Sequence, residues 1–303
     1  MAFGSSLKST FSFILLLLIL PLLPTITQNI RNLYHHHIDP RDAVGVIHVK
    51  GVIYDAAPYI KQLYKHFKNN EIKAILLKIE SPGSASGSAQ AIYQEILTLK
   101  GLYPKPIITL VENICASGGY YIASATDHII CSGSAIVGSI GATLSWLFQL
   151  KEFIEQFKVK YIPLSAGKYK LATDPFTDMT PEMKALLQSM LDDTYDQFVH
   201  DVATQRKLSL SQSSVWADGK IFNGRQALKL GLVDQLGSLS AAVSALKERA
   251  LIQGEIRWIK TPERKGLFSM LNADSEGEDD IALTRLLNRA CTYLENRYGN
   301  KAL

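Results

Sequence analysis

Apolar positions along the chain fall into patterns whose order outlines an α/β protein. "AVGVIHVKGVI", from residue 43, is rich in β-branched residues and reads as a strand. "AILLKIE", residues 74 to 80, and "PIITLVE", residues 106 to 112, are short continuous apolar runs, as expected of buried strands. Between them, Ile92, Ile96 and Leu99 recur at helical spacing after a Gly/Ser-rich entry. Strand, turn, helix and strand in this order belong to a parallel sheet with crossover helices. Farther on, "HIICS" and "VKYIPLS" read as short strands with a helix near residues 143 to 157 between them. The longest helical pattern covers residues 181 to 206, where Met183, Leu186, Leu187, Met190, Leu191 and Phe198 form one stripe. Thr180 suits its N-cap, Pro181 its first turn, and Glu182 is acidic there. Such a stripe belongs in a core or a subunit interface rather than around a cofactor.

The pattern before residue 43 is different. "FSFILLLLILPLLPTI", residues 11 to 26, is an apolar run of about sixteen preceded by Lys8. It is slightly short of the roughly 17–25 residues of a spanning helix. No A-x-A-like cleavage site follows, which favours an uncleaved anchor over a cleaved secretory signal or a buried helix. Lys8 opposes Arg31 and Arg41, so charge gives only a weak orientation bias. The run His35, His36, His37 has no second ligand cluster and reads as solvated, not as a metal site. The expected organisation is an anchor at 1–27, a linker at 28–42, an α/β domain at 43–250 and an extension at 251–303. That extension contains the acidic loop "NADSEGEDD", residues 272 to 280, and an amphipathic pattern over 281–297.

Composition narrows the function classes. The 303 residues suffice for one large domain or two modest ones. With 32 basic and 28 acidic residues, the net charge of +4 makes no case for nucleic acid. The three cysteines, Cys115, Cys131 and Cys291, lack CxxC spacing, so neither a disulfide framework nor a zinc site is supported. Cys115 and Cys131 read as small core residues. No cofactor is implied.

Candidate chemistry centres on "ENICASGGYYIASATDHIICS", residues 112 to 132. A strand ending in Ser117-Gly118-Gly119 places the serine at a helix start. There it is either a cap or a nucleophile beside an amide, that of Gly118, able to stabilise an oxyanion. A second glycine-bearing strand-to-helix turn, "IESPGSASGS", contains Gly83 after Pro82. The two turns are either ordinary loops or the walls of one cleft. A nucleophilic serine needs a base. His128 and His200 lack a polar, glycine-rich setting, and no acid completes a Ser-His-Asp system. Lys170, in "GKYKLATDPF", lies between Tyr169 and Leu171. If desolvated in a pocket it would lose pKa and accept the serine proton, with Lys168 as its local competitor.

The motifs "SPGS", "ENICASGGYYIASATDHI", "GSIGATLS", "GKYKLATDPFTDMT" and "ADGKIFNGRQALKLGLVDQLG" occur in the order and spacing of the signal peptide peptidase A family. The match covers residues 43 to about 250 and resembles the short, single-copy bacterial form. This resemblance implies a membrane-bound serine endopeptidase with a Ser–Lys dyad, acting on hydrophobic peptides such as cleaved signal peptides. Ser117 would be the nucleophile, Lys170 the general base and Ser139 the hydroxyl that holds the lysine amine. The amides of Gly83 and Gly118 would form the oxyanion hole. The implied fold is a Clp protease/crotonase-like spiral of ββα units behind an N-terminal transmembrane helix. Also implied are a homo-oligomeric ring with active sites shared between protomers and an inner-membrane location. The catalytic domain would face away from the cytoplasm. The family usually has a second glycine after Ser-Pro-Gly, where this chain has Ser84. A serine amide could still donate there if its φ is not positive. A crotonase-like acyl-CoA enzyme and an inactive membrane scaffold are the alternatives. Neither accounts for Ser117, Ser139 and Lys170 together, and no adenine-nucleotide signature is present.

Overall fold

A computed structural model describes residues 41–260 except Trp146. The expected anchor, most of the linker, the acidic loop and the terminal amphipathic helix therefore lie outside the described residues. Among the described residues, no helix is long and apolar enough to cross a membrane.

The first three predicted strands form the centre of one mainly parallel sheet. They are β1 (Ala43–Lys50), β2 (Ile72–Ser81) and β3 (Ile107–Ala116). β2 lies between the other two, and β8 (Arg257–Lys260) adds to β1 in parallel. β3 is shared lengthwise on its other edge. Its first half, Ile108 to Val111, pairs with β4 (His128–Cys131); its second half, Ile114 to Ala116, pairs with β5 (Ile136–Gly138). The short strands β6 (Ile221–Asn223) and β7 (Gln235–Leu236) extend these two branches, β6 antiparallel to β5 and β7 parallel to β4.

Both sheet faces are covered, which explains why the strands read as continuous apolar runs. On one face Ile47, Val49, Ile75, Leu77, Ile79 and Val111 meet three helices. These are α1 (Ala57–Lys68), α2 (Ser86–Leu102) and α3 (Gly118–Ser124). On the other, Val44, Ala74, Leu76, Ile108 and Leu110 meet Ala242, Ala245 and Leu246. Those three belong to α8 (Leu239–Ala250). Cys115 and Cys131 are fully buried in the first cluster, as their apolar surroundings predicted.

Four features differ from the sequence reading or lie beyond it. Helix α1 was not anticipated, although Pro58 sits in its first turn and Leu63 and Phe67 face the core. The segment "VKYIPLS" is not a strand: residues 159 to 165 have no regular structure, with Ile162 77% and Leu164 95% exposed. β-propensity there finds no neighbouring strand to pair with and no face to bury. The helix expected near 143–157 is confined to α4 (Lys151–Gln156). The long helix, α5 (Pro181–Arg206), has the predicted bounds, and Met183 N–H donates to the Thr180 hydroxyl at 3.2 Å. Only its last third is buried, through Phe198, Val199, Val202 and Ala203. The apolar residues Leu186 and Met190 of its first half are 45% and 50% exposed.

After α5 the chain passes through α6 (Ser213–Trp216), β6 and α7 (Gly224–Lys229). Asn223 and Gln226 form a reciprocal capping box at the start of α7. The turn of α5 into this segment is tied by Arg206. Its guanidinium donates to both carboxylate oxygens of Asp234, at 2.9 and 2.7 Å, and to the Gly231 carbonyl.

Candidate active site

β2 and β3 run side by side, and each ends in a glycine-bearing turn that leads into a helix. Their register brings the ends of the strands together, with Ser81 opposite Cys115. The two turns therefore meet. A β-carbon at Gly83 would lie 3.3 Å from Ser117 Cβ and 3.5 Å from Ser117 Oγ. One at Gly119 would lie 3.1 Å from the Ser81 carbonyl oxygen. The turns are thus two walls of one cleft, and glycine is what permits the close approach.

Ser117 is not an ordinary helix cap. An N-cap serine has extended backbone and uses its hydroxyl to accept from the first turn. Here Ser117 has φ 52° and ψ −124°, and its side chain makes no capping hydrogen bond. A non-glycine residue in such a conformation costs about 1–3 kcal/mol and persists only where its surroundings hold it. The surroundings do so at two points. Ser117 N–H donates to the Gly138 carbonyl at 2.7 Å, and Tyr121 N–H donates to the Ser117 carbonyl at 2.9 Å. The half-buried hydroxyl is left at the rim of a pocket of about 170 Å³.

That pocket is lined by Ser117 together with Ala89, Tyr121 and Phe198, with Ser84 and Gly118 beside the nucleophile candidate. Tyr121 and Phe198 stack with ring centroids 4.4 Å apart. The Tyr121 hydroxyl donates to Asp201 of α5, so the aromatic wall is held by hydrogen bonding as well as stacking. Burial, then the contact with Asp201, raises the pKa of that hydroxyl, and it stays neutral as a donor. The pocket can take an uncharged side chain of modest size.

The amides at the two turns differ in availability. Gly83 N–H donates to Ser81 Oγ at 3.2 Å, and the Gly83 carbonyl accepts from Ser81 Oγ and from Ile53 N–H. Gly83 is therefore fully engaged with the scaffold. Its φ of +151° and its closeness to Ser117 account for glycine at this position. The neighbouring Ser84 N–H and the Gly118 N–H have no acceptor among the described residues. They lie close together, since a β-carbon at Gly118 would be 3.1 Å from Ser84 N. Ser84 has no positive φ. The substitution of the usual glycine thus leaves a serine amide free beside Ser117. Of the two amides that the sequence left open as donors in this turn, that of Gly83 is engaged and that of Ser84 is not. The signal that could have decided between them is Ser81, a serine two residues before Gly83 and poised for a local side-chain-to-backbone bond.

Ser139 is positioned by the same edge. Gly138 pairs with Ala116, and its carbonyl receives the Ser117 amide; Ser139 follows with φ 52°, its own amide bound to the Lys220 carbonyl at 2.7 Å. Ser117 and Ser139 thus flank one hydrogen-bonded step between β3 and β5.

Lys170 stands apart from this group. It is exposed in a run of turns, its amide bound to the Gly167 carbonyl at 3.1 Å, and it does not line the pocket. The desolvation expected for Lys170 does not arise within a single chain. Lys168, its competitor, forms an ion pair with Glu182 at 2.7 Å and lies over the Tyr169 ring. The hydrogen bond that Lys168 donates to Glu182 raises the Lys168 pKa, which opposes a role as base. Among the described residues, no group of three His, Cys, Asp or Glu side chains could hold a metal ion.

Comparison with known proteins agrees with this architecture. The family model of peptidase family S49 matches residues 103–253. A Methanocaldococcus jannaschii protein named a "putative protease" is 35% identical over 71% of this chain and 69% of its own length. An Enterococcus faecium protein named "putative signal peptide peptidase SppA" is 32% identical over 64% of this chain and 56% of its own length. Protease 4 of Haemophilus influenzae is 28% identical over 83% of this chain and 42% of its own length. Together with the converging turns and the ordered motifs, these matches show that the chain belongs to peptidase family S49, the signal peptide peptidase A family.

Proposed function

We propose that the chain is a membrane-anchored serine endopeptidase of hydrophobic peptides, such as cleaved signal peptides, that uses Ser117 as nucleophile and Lys170 as general base. The observation that carries the reading is the Ser117 conformation. A strained serine with an uncommitted hydroxyl lines a pocket beside two free amides. That pocket has the Tyr121–Phe198 stack on one side and polar residues such as Gln90 and Gln197 elsewhere.

The reaction follows from that placement. The neutral amine of Lys170 takes the Ser117 proton as Oγ bonds to the scissile carbonyl carbon. The carbonyl oxygen becomes an oxyanion and accepts from the amides of Gly118 and Ser84, with Ser84 in the role first expected of Gly83. The lysine ammonium returns the proton to the leaving amine as the C–N bond breaks. Water then attacks the acyl-enzyme with the same amine as base. An amine needs no orienting acid, because it rotates freely; it needs a dry site and a hydroxyl to fix it. Ser139 is the proposed hydroxyl.

Lys170 is exposed in one chain, so the dry site must come from a second copy. The segment carrying it is unusually apolar at its surface. Phe153 is 57% exposed, Phe157 66% and Ile162 77%, and Leu186 and Met190 on α5 are also exposed. A homo-oligomeric ring that covers these residues would bring Lys170 of one protomer to Ser117 of its neighbour. The apolar run at residues 11 to 26 supports a single-pass anchor. The inner membrane and a catalytic domain on the non-cytoplasmic side are proposed from the family resemblance. The anchor would hold the cleft where hydrophobic peptide fragments reside.

The test is hydrolysis of an apolar fluorogenic peptide by the full chain in detergent. Ser117→Ala and Lys170→Ala each abolish turnover, and Lys168→Ala retains it. Loss on Lys168→Ala with full activity of Lys170→Ala would overturn the base assignment.

A further inference from the structure

Ser84 lines the same pocket, and the reaction described so far leaves its hydroxyl unused. Its oxygen is buried and has no hydrogen-bond partner among the described residues. Native structures rarely tolerate such a group without a reason, because burial strips its water and nothing replaces the lost bond. The backbone does not supply the reason. Ser84 has no positive φ, so alanine would fit the same conformation and present the same amide.

The location suggests the use. Ser84 Oγ packs against the α-carbon of Gly118; a β-carbon on Gly118 would come within 1.9 Å of it. It therefore belongs to the same turn contact as the two free amides, those of residues 84 and 118, and Ser84, Ser117 and Gly118 all line the pocket. Rotation about χ1 offers the oxygen two other staggered positions, one of them the proposed working position at the pocket. There it would converge with the amides on the point where a scissile carbonyl oxygen must lie.

We propose that the Ser84 hydroxyl is a third oxyanion donor, hydrogen-bonding the substrate carbonyl oxygen as negative charge develops on it. The proposal rests on Ser117 being the nucleophile. The hydroxyl keeps its proton throughout; the proton that moves is that of Ser117. Because the hydroxyl is packed against Gly118 and must turn to reach the substrate oxygen, its bond is made mainly in the transition state. Its loss therefore lowers kcat more than it raises KM.

The experiment compares wild type with Ser84→Ala, Ser84→Gly and Ser84→Thr in the full-length enzyme, with Ser117→Ala as the inactive control. The proposal expects Ser84→Ala and Ser84→Gly to lose about 10²-fold in kcat, as for other single oxyanion donors. KM should stay within about threefold and the pH profile of kcat should not move. Affinity for a peptide boronic acid, which forms the tetrahedral adduct, should fall with kcat, and Ser84→Thr should recover part of both. The thermal midpoint of Ser84→Ala should equal or exceed that of wild type, since an unpartnered hydroxyl is removed. A kcat within twofold of wild type in both Ser84→Ala and Ser84→Gly overturns the proposal and leaves the serine-protease reading standing. A displaced pH profile overturns it too, by assigning the hydroxyl to the lysine. Falling kcat matched by a falling thermal midpoint in both variants marks the serine as structural and overturns it. Retained hydrolysis by Ser117→Ala is the separate result that sinks the reading beneath it.

Discussion

The Ser117 amide donates to the carbonyl of Gly138 at 2.7 Å, and this bond fixes the nucleophile candidate to a strand from outside its own turn. Without it, the positive φ of Ser117 would be held only by the short helix that follows. With it, the residue is clamped between β5 and α3, and the hydroxyl is spared from capping. The local strain and the free hydroxyl have one cause.

The packing of Gly83 on Ser117 predicts a loss of activity out of proportion to stability. In Gly83→Ala the new methyl meets Ser117 Cβ at 3.3 Å and Oγ at 3.5 Å, in a backbone region that disfavours alanine. Stability should fall by about 1 kcal/mol. Turnover should fall by about 10²-fold as the nucleophile is displaced. Gly118→Ala is more severe, because its methyl would meet Ser84 Cβ at 2.8 Å and Ser84 N at 3.1 Å, contacts that rotation of the Ser84 side chain does not relieve. Overpacking of that kind costs about 1–3 kcal/mol in addition to closing the oxyanion site. Thermal unfolding and peptide hydrolysis, measured on both variants, check the two effects separately.

The bidentate pair of Arg206 and Asp234 predicts an acid-dependent contribution to stability. Burial acts to raise the Asp234 pKa, but the hydrogen bonds and charge of Arg206 outweigh it, and the net shift is downward. A carboxylate with a lowered folded-state pKa stabilises the fold above its unfolded pKa and loses that contribution as pH falls through the folded value. Asp234→Asn should therefore cost about 3 kcal/mol at neutral pH, where a largely buried guanidinium, 7% exposed, loses its partner. The gap between variant and wild type should close in acid, below the ordinary carboxylate range. Denaturant midpoints over a pH series provide the measurement; a gap independent of pH would contradict the assignment.

The uncovered stripe on α5 predicts an interface. Leu186 and Met190 are 45% and 50% exposed, so replacing them should change the stability of the isolated fold by no more than about 0.5 kcal/mol. The double variant Leu186→Asp/Met190→Asp should nevertheless lower the mass of the detergent-solubilised assembly and reduce hydrolysis in parallel. Sedimentation or light scattering reads the first effect. An unchanged mass would remove α5 from the interface.

Much of the scaffold was legible in the sequence because its physical causes are local or repetitive. β2 and β3 are apolar on both faces, and α5 announces its start through Thr180 and Pro181. Helix α1 was overlooked although Pro58, Leu63 and Phe67 carried its pattern. "VKYIPLS" was misread because Val159, Tyr161 and Ile162 favour a strand only when another strand is beside them, and none is. In the site, the Ser-Gly-Gly and Ser-Pro-Gly turns marked the cleft correctly. Which amide is free depends on the Ser81 side chain, a three-dimensional contact. Lys170 shows the largest gap. Its position in the motif order suggested a base, but in this chain it is exposed, and the proposed mechanism draws its dry environment from a second copy.

That gap is also the most direct test of the account. Ser117→Ala and Lys170→Ala chains, each inactive alone, are dissociated, mixed and allowed to reassemble, and hydrolysis of an apolar peptide is followed. Lys170 acting on the Ser117 of a neighbour predicts that activity returns in the mixture, because sites with one intact pair form between unlike copies. A mixture that reassembles to full mass and stays inactive would contradict it.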